Sequence, residues 1–296
     1  MLLSVILPLG LGGLQGLQMF GWLGLIGILS GVLKLAMGVF LVSLGFRVMG
    51  ALSACVVSSS SMFVLSFFML RHSILEKSKL PAFSIETDNS GNSSDEINFS
   101  EVYKYFLPVA ITLLCVMSMV NGDILLVKHF FTPFEAGYYS IAQLAGKIIL
   151  FLPGAITIVM FPKASSLHAQ NKNSLPIIKK SLMLVGLLCG TAALVCIFFP
   201  SFVIKLLTRE VHLDCIPLVR LFAVAMTFFA LLYTLLFYQL SIHRLKFIYP
   251  LIFFSVLQIV LIILFHKSLS QVLYILCGNS ILLFFINLRL IKAPAG

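Results

Sequence analysis

The chain has 296 residues, 60% hydrophobic and only 10% charged, with a formal net charge of +10 and a mean hydropathy of +1.10. A soluble domain has about 45–50% apolar and about 25% charged residues, so the composition excludes a water-soluble core. The basic residues are scattered through short segments rather than gathered on one soluble face, so the positive charge does not mean nucleic-acid binding.

Apolar runs of about 20 residues recur along the chain and read as membrane-crossing helices. The alternation over about ten residues that barrel strands need is absent. First comes an apolar stub, Leu2 to Leu14. It is too short to cross about 30 Å of hydrocarbon if it ends there, and reads as the tail of an N-terminally truncated helix. The segment MLLSVILPLGLGG has no basic n-region and no A-x-A-like cleavage site, so a cleaved signal peptide is not expected. Eight full spans follow, at 21–45, 48–70, 102–128, 137–161, 181–204, 217–240, 247–265 and 270–288. The expected fold is an all-α polytopic membrane protein of about eight full transmembrane helices plus a truncated first one.

The one long connection, 72–101, ends in the polar, Gly/Ser/Asn-rich, acidic string TDNSGNSSDEINFS, Thr87 to Ser100. It is expected to be a flexible cytoplasmic linker between two helical bundles. Loop charge sets the orientation. Twelve of the 20 basic residues fall on one side: Arg71, Lys77, Lys79, Lys104, Lys163, Lys172, Lys179, Lys180, Arg244, Lys246, Arg289 and Lys292. Five fall on the other, at Arg47, Lys128, Lys205, Arg209 and Lys267, and the remaining three, Lys34, Lys147 and Arg220, lie inside spans. The richer side, with the C-terminus, is expected to face the cytoplasm from a cell inner membrane. The NSS and NFS triplets, on that side, would never meet the glycosylation machinery.

No chemistry-bearing motif stands out. The histidines are spread singly, and no HExxH, GxSxG, DxD or P-loop string occurs. The six cysteines have no CxxC spacing and mostly fall in apolar runs, as small packing residues do. We therefore expect no enzyme, no metal site and no cofactor. Gly27, Gly31 and Gly38, with the run Ser58 to Ser61, are expected to supply small faces for close helix packing.

Charge at membrane depth is the informative feature. Lys34 sits near the middle of the apolar run Trp22 to Leu44, about 15–18 Å from either end. A lysine stem cannot snorkel that far. Lys147 repeats the situation in the run Tyr138 to Phe161, and Asp123 is the only carboxylate within a span. Insertion scales put an unpaired charge at about 2.5–3.5 kcal/mol or more. One reading places both lysines in a hydrated cationic cavity that meets a negatively charged substrate. The other makes them structural, each tied to a carbonyl or carboxylate. Asp123 is either an interfacial residue solvated from outside or a contact for substrate or a coupling ion, and Arg220 is a topological anchor. Pro153-Gly154 falls in the same span as Lys147. Its proline removes the bond to the Ile149 carbonyl, giving a kink suited to a gating hinge and also common in rigid transmembrane helices.

Several strings add a resemblance. They are NGD (Asn121 to Asp123), VKHF (Val127 to Phe130), EAGYYS (Glu135 to Ser140), GKIILFLPGAI (Gly146 to Ile156) and FPK (Phe161 to Lys163). Upstream stand LQGLQMF (Leu14 to Phe20) and LGFRVMGALSA (Leu44 to Ala54). In combination the chain resembles the polysaccharide-transporter branch of the multidrug/oligosaccharidyl-lipid/polysaccharide exporter superfamily. That resemblance implies two helical lobes around a polar central cavity: residues 1–71 as the remainder of an N-terminal lobe, 72–101 as the linker, and 102–296 as a complete six-helix C-terminal lobe. It further implies a flippase carrying an anionic lipid-linked oligosaccharide from the cytoplasmic to the outer leaflet. Lys34, Lys147 and Asp123 would be substrate contacts, and polysaccharide assembly proteins and membrane lipids the partners. The alternatives are a drug or cation antiporter of the same superfamily, which would favour acidic cavity residues, a membrane-embedded polysaccharide polymerase or ligase, which would present a large outer loop, and a non-transporting membrane subunit or truncated gene product.

Overall fold

The computed structural model describes residues 20–77, 99–170, 172–209 and 213–292. Every regular element among them is helical. Eight stretches are long and apolar enough to cross a membrane, so the chain is an all-α, multi-pass membrane protein. It divides into two compact units, Met1–Glu96 and Ile97–Gly296. The stub Leu2 to Leu14 and the string Thr87 to Asn98 lie outside the described residues.

The first unit contains a helical hairpin, α1 (Phe20–Leu41) and α2 (Arg47–Lys77). The chain reverses at Gly45, whose φ of 93° is a left-handed conformation that a Cβ would oppose. The hairpin is close at its turn, where a methyl on Gly50 would meet Leu41 at 3.1 Å, and Gly38 faces Ala54. Among the described residues nothing stands within 4 Å of where a Cβ would sit on Gly27 or Gly31, so between described helices only Gly38 of the three expected packing glycines makes a close approach. The Ser58–Ser61 hydroxyls are also used locally: they donate to the carbonyls of Cys55, Val56 and Ser58, one turn back in their own helix. At 31 residues, or about 46 Å, α2 outruns the hydrocarbon and covers the first residues of the segment read as linker.

The second unit opens with α3 (Phe99–Phe130), followed by α4 (Pro133–Phe151), α5 (Gly154–Ala169), α6 (Leu175–Phe198), α7 (Pro200–Thr208), α8 (Cys215–Ser241), α9 (Ile248–Leu264) and α10 (Leu269–Lys292). Its axis is α8, against which α4, α6 and α10 pack. Seventeen residues of α8 are buried, on all sides of the helix, in keeping with a sequence whose one charged residue, Arg220, lies near its start. Helices α3 and α10 flank α9.

Local chemistry explains the boundaries. Thr132-Pro-Phe-Glu135 forms a capping box at the start of α4: the Glu135 carboxylate accepts from the Thr132 amide at 3.0 Å, and the Glu135 amide donates to Thr132 Oγ1. The sequence span 181–204 is corrected. The crossing helix is α6, ending at Phe198, and Pro200 starts a separate short helix. Proline has no amide to continue α6 and drives the residue before it from helical geometry, here to φ −122°, ψ 49° at Phe199. Arg220, read as an anchor, donates from Nε to the Ile197 carbonyl at 3.1 Å and so caps the end of α6.

Candidate functional site

In α4, Tyr139, Gln143 and Lys147 recur every four residues and share one face. All three meet polar groups of α3. The Tyr139 hydroxyl donates to Asp123 Oδ2 at 2.7 Å, Gln143 Nε2 donates to Asp123 Oδ1 at 3.0 Å, and Lys147 Nζ donates to Asn121 Oδ1 at 3.0 Å. The Asn121 amide nitrogen donates to the Met117 carbonyl, which fixes its oxygen toward the lysine. Gly146 permits this close assembly on the neighbouring face: a methyl there would meet Met226 at 3.0 Å and Phe222 at 3.2 Å in α8.

Asp123 has no exposed surface, so the reading of an interfacial carboxylate solvated from outside is overturned. Both its oxygens are satisfied from α4, and Tyr139, itself fully buried, stacks edge-on against Phe222. The carboxylate is a brace between α3 and α4, held by two charge-assisted bonds.

Lys147 is half-buried at the wall of a cavity of about 290 Å³. Asn121 and Tyr233 join it there, and Val116, Val120 and Leu150 supply apolar wall. Gly154 lines the same cavity, so the structure brings the deep lysine and the predicted hinge to one place. The break falls at Leu152–Pro153, between α4 and α5. The Ile149 carbonyl freed by the proline accepts instead from the Leu152 amide at 3.3 Å and the Cys189 thiol at 3.5 Å. Thr157 closes the other side by donating amide and hydroxyl to the Pro153 carbonyl. A membrane-embedded kink needs such substitutes because no water is there to serve the freed groups.

Lys34 belongs to the first unit, where it is exposed on α1 and makes no hydrogen bond to the described residues. The six cysteines are free thiols. Beyond Cys189, the Cys277 thiol also reaches a neighbouring helix, donating to the Leu221 carbonyl at 3.4 Å.

Sequence reasoning missed the amide residues. Gln143 joins the Asp123 brace. Gln258 Nε2 reaches the Met119 carbonyl at 2.9 Å while its Oε1 accepts from Asn279 at 3.0 Å, tying α3, α9 and α10 together. Gln239 donates to Asn287 at 3.1 Å, tying α8 to α10. Lone amides inside apolar runs were the available signal, since in a lipid setting each must find a partner across a helix interface.

No protein-family model, no curated protein and no solved structure matches this chain.

Proposed function

We propose that this membrane protein is a flippase that moves an anionic lipid-linked oligosaccharide from the cytoplasmic to the outer leaflet by alternating access. The observation carrying the reading is Lys147, a cation near the middle of a crossing segment, hydrogen-bonded to a neutral amide rather than a carboxylate and standing at a cavity. A structural lysine would be expected to neutralise the nearest acid. Here Asp123 takes its hydrogen bonds from Tyr139 and Gln143 and meets Lys147 only through space, which leaves the ammonium protons not used by Asn121 to face whatever enters. The apolar walls suit a lipid stem and the ammonium suits a phosphate or acidic sugar. At about 290 Å³ the cavity is at the small end of ligand pockets, sized for a headgroup fragment. The break at Pro153-Gly154 beside it supplies a hinge for rocking of helices around a fixed site. Lys34, exposed in the first unit, is the second cation in this mechanism. The resemblance of the strings around Asn121–Ser165 to polysaccharide transporters supports the same substrate class.

The test is translocation of a fluorescent lipid-pyrophosphate oligosaccharide in proteoliposomes containing Lys147→Met and the Lys34→Ala, Lys147→Ala double variant. Loss of flipping by at least about tenfold, with thermal stability retained, is the expected outcome. Unchanged flipping removes the lysines from the site.

A second reading, a cation-coupled drug exporter, draws on Asp123, a carboxylate buried inside a crossing helix. It requires that Asp123→Asn abolish coupled transport while Lys147→Met leaves it intact.

A further inference from the structure

At the end of the second unit where α5, α8 and α10 finish and α6 begins, a separate cavity of about 210 Å³ opens. Two segments distant in sequence bring three basic side chains to it: His168 from the last turn of α5 and Lys172 from the loop that follows, and Arg244 just beyond α8. None of its described lining residues is a carboxylate. Its floor holds two buried hydroxyls, Ser174 Oγ and Tyr238 OH, 2.8 Å apart. One hydroxyl proton is used in that bond, which leaves the other to donate outward. The positive end of α6 also borders the cavity at Leu175.

The backbone is shaped to hold the cations there. Helix α8 ends in a Schellman closure: the His243 amide donates to the Leu240 carbonyl at 3.2 Å and the Arg244 amide to the Gln239 carbonyl at 3.0 Å. The closure requires a left-handed residue, and His243 takes it at φ 54° although it is not glycine. Arg244 then reaches across to the Ile291 carbonyl of α10 at 3.4 Å. The Lys172 amide turns back to the Leu167 carbonyl at 2.9 Å in a similar six-to-one closure of α5, and its ammonium donates to the Gln170 side chain at 2.8 Å.

Loop cations that only set topology need to lie on one side of the membrane; they need not converge. We infer that this cavity binds a phosphate oxyanion, and that the headgroup of an anionic phospholipid supplies it. Its position at the ends of crossing helices puts it at headgroup depth, and Ile242 and Ile291 give it an apolar border. The site is separate from the Lys147 cavity and does not depend on what the protein transports.

The test uses the purified full chain in phosphatidylcholine nanodiscs, titrated with phosphatidylglycerol and, separately, with inorganic phosphate, with occupancy read by native mass spectrometry. The expected result is phosphatidylglycerol binding that weakens about tenfold in Lys172→Ala, survives in Lys172→Arg, and is unchanged in Lys179→Ala, an exposed lysine of the same side that does not line the cavity. Arg244→Ala should weaken it as well; because Arg244 also braces α10, the exposed Lys172 is the variant that decides. Inorganic phosphate binding with the same dependence on Lys172, and no preference for phosphatidylglycerol, would assign the same oxyanion site to a soluble ligand. Equal weakening in Lys179→Ala and Lys172→Ala, or no effect of Lys172→Ala on either probe, overturns the site and leaves only diffuse surface charge.

Discussion

Asp123 and Lys147 lie in adjacent helices, yet each takes a different partner, and this separates their roles. Removing the Tyr139 hydroxyl leaves a fully buried carboxylate short of one charge-assisted bond. Tyr139→Phe should therefore cost about 1.5–3 kcal/mol, read as a lowered midpoint of thermal unfolding in detergent. Lys147→Met removes a half-buried cation, its bond to the neutral Asn121 oxygen and its through-space attraction to Asp123, but no hydrogen bond of that carboxylate, so its midpoint should fall less than that of Tyr139→Phe. A large stability loss in Lys147→Met would return that lysine to a structural role. At His243 the reverse change is expected. Glycine takes the left-handed C′ position without a Cβ penalty, so His243→Gly should raise stability by about 1 kcal/mol. A drop would mean that the imidazole itself holds the turn.

Among the elements, α4 and the hairpin of the first unit are the least tolerant of added atoms. Gly146→Ala drives a methyl to 3.0 Å from Met226 and 3.2 Å from Phe222. The atoms met are Met226 Cγ and Phe222 Cβ, both close to the α8 backbone rather than at a side-chain tip, so a loss of about 1–3 kcal/mol is expected in the same unfolding measurement. The α4–α5 break makes a different prediction. Pro153→Ala restores an amide able to bond the Ile149 carbonyl, in place of the long contacts from Leu152 and Cys189. Stability should be equal or higher, while flipping slows if the break is a hinge. Unimpaired flipping by a more stable Pro153→Ala protein would make the kink a rigid feature.

For the whole molecule, the decisive question is orientation. Helix α6 is a crossing segment of 24 residues, so Lys172 before it and Arg209 after α7 belong to opposite sides. From the excess of lysine and arginine on the Lys172 side we propose that this side is cytoplasmic. In a background without reactive native cysteines, Arg209→Cys should react with a membrane-impermeant maleimide on intact cells, and Lys172→Cys only after permeabilisation. The opposite pattern would invert the topology and, with it, the leaflet that the phosphate cavity faces.

Sequence alone was sufficient for what depends on composition and on local rules. Burying about 20 apolar residues in a row is only possible in a membrane or an all-apolar interior, so the eight spans were legible, as were the turn before Arg47, the kink at Pro153 and the place of Lys34 and Lys147 inside apolar segments long enough to cross. The break at Phe199 was also written locally, in Pro200, but a continuous apolar run concealed it. What only the tertiary structure decided is partnership. Tyr139, Gln143 and Lys147 are an ordinary four-residue stripe until α3 is set against them; only then does the carboxylate go to the tyrosine and glutamine and the ammonium to an asparagine. The phosphate cavity likewise joins side chains from positions 168, 172 and 244. The reason is physical: hydropathy is a property of a segment, whereas a hydrogen bond or a cavity wall is a property of two helices packed at one register and rotation, which no single segment encodes.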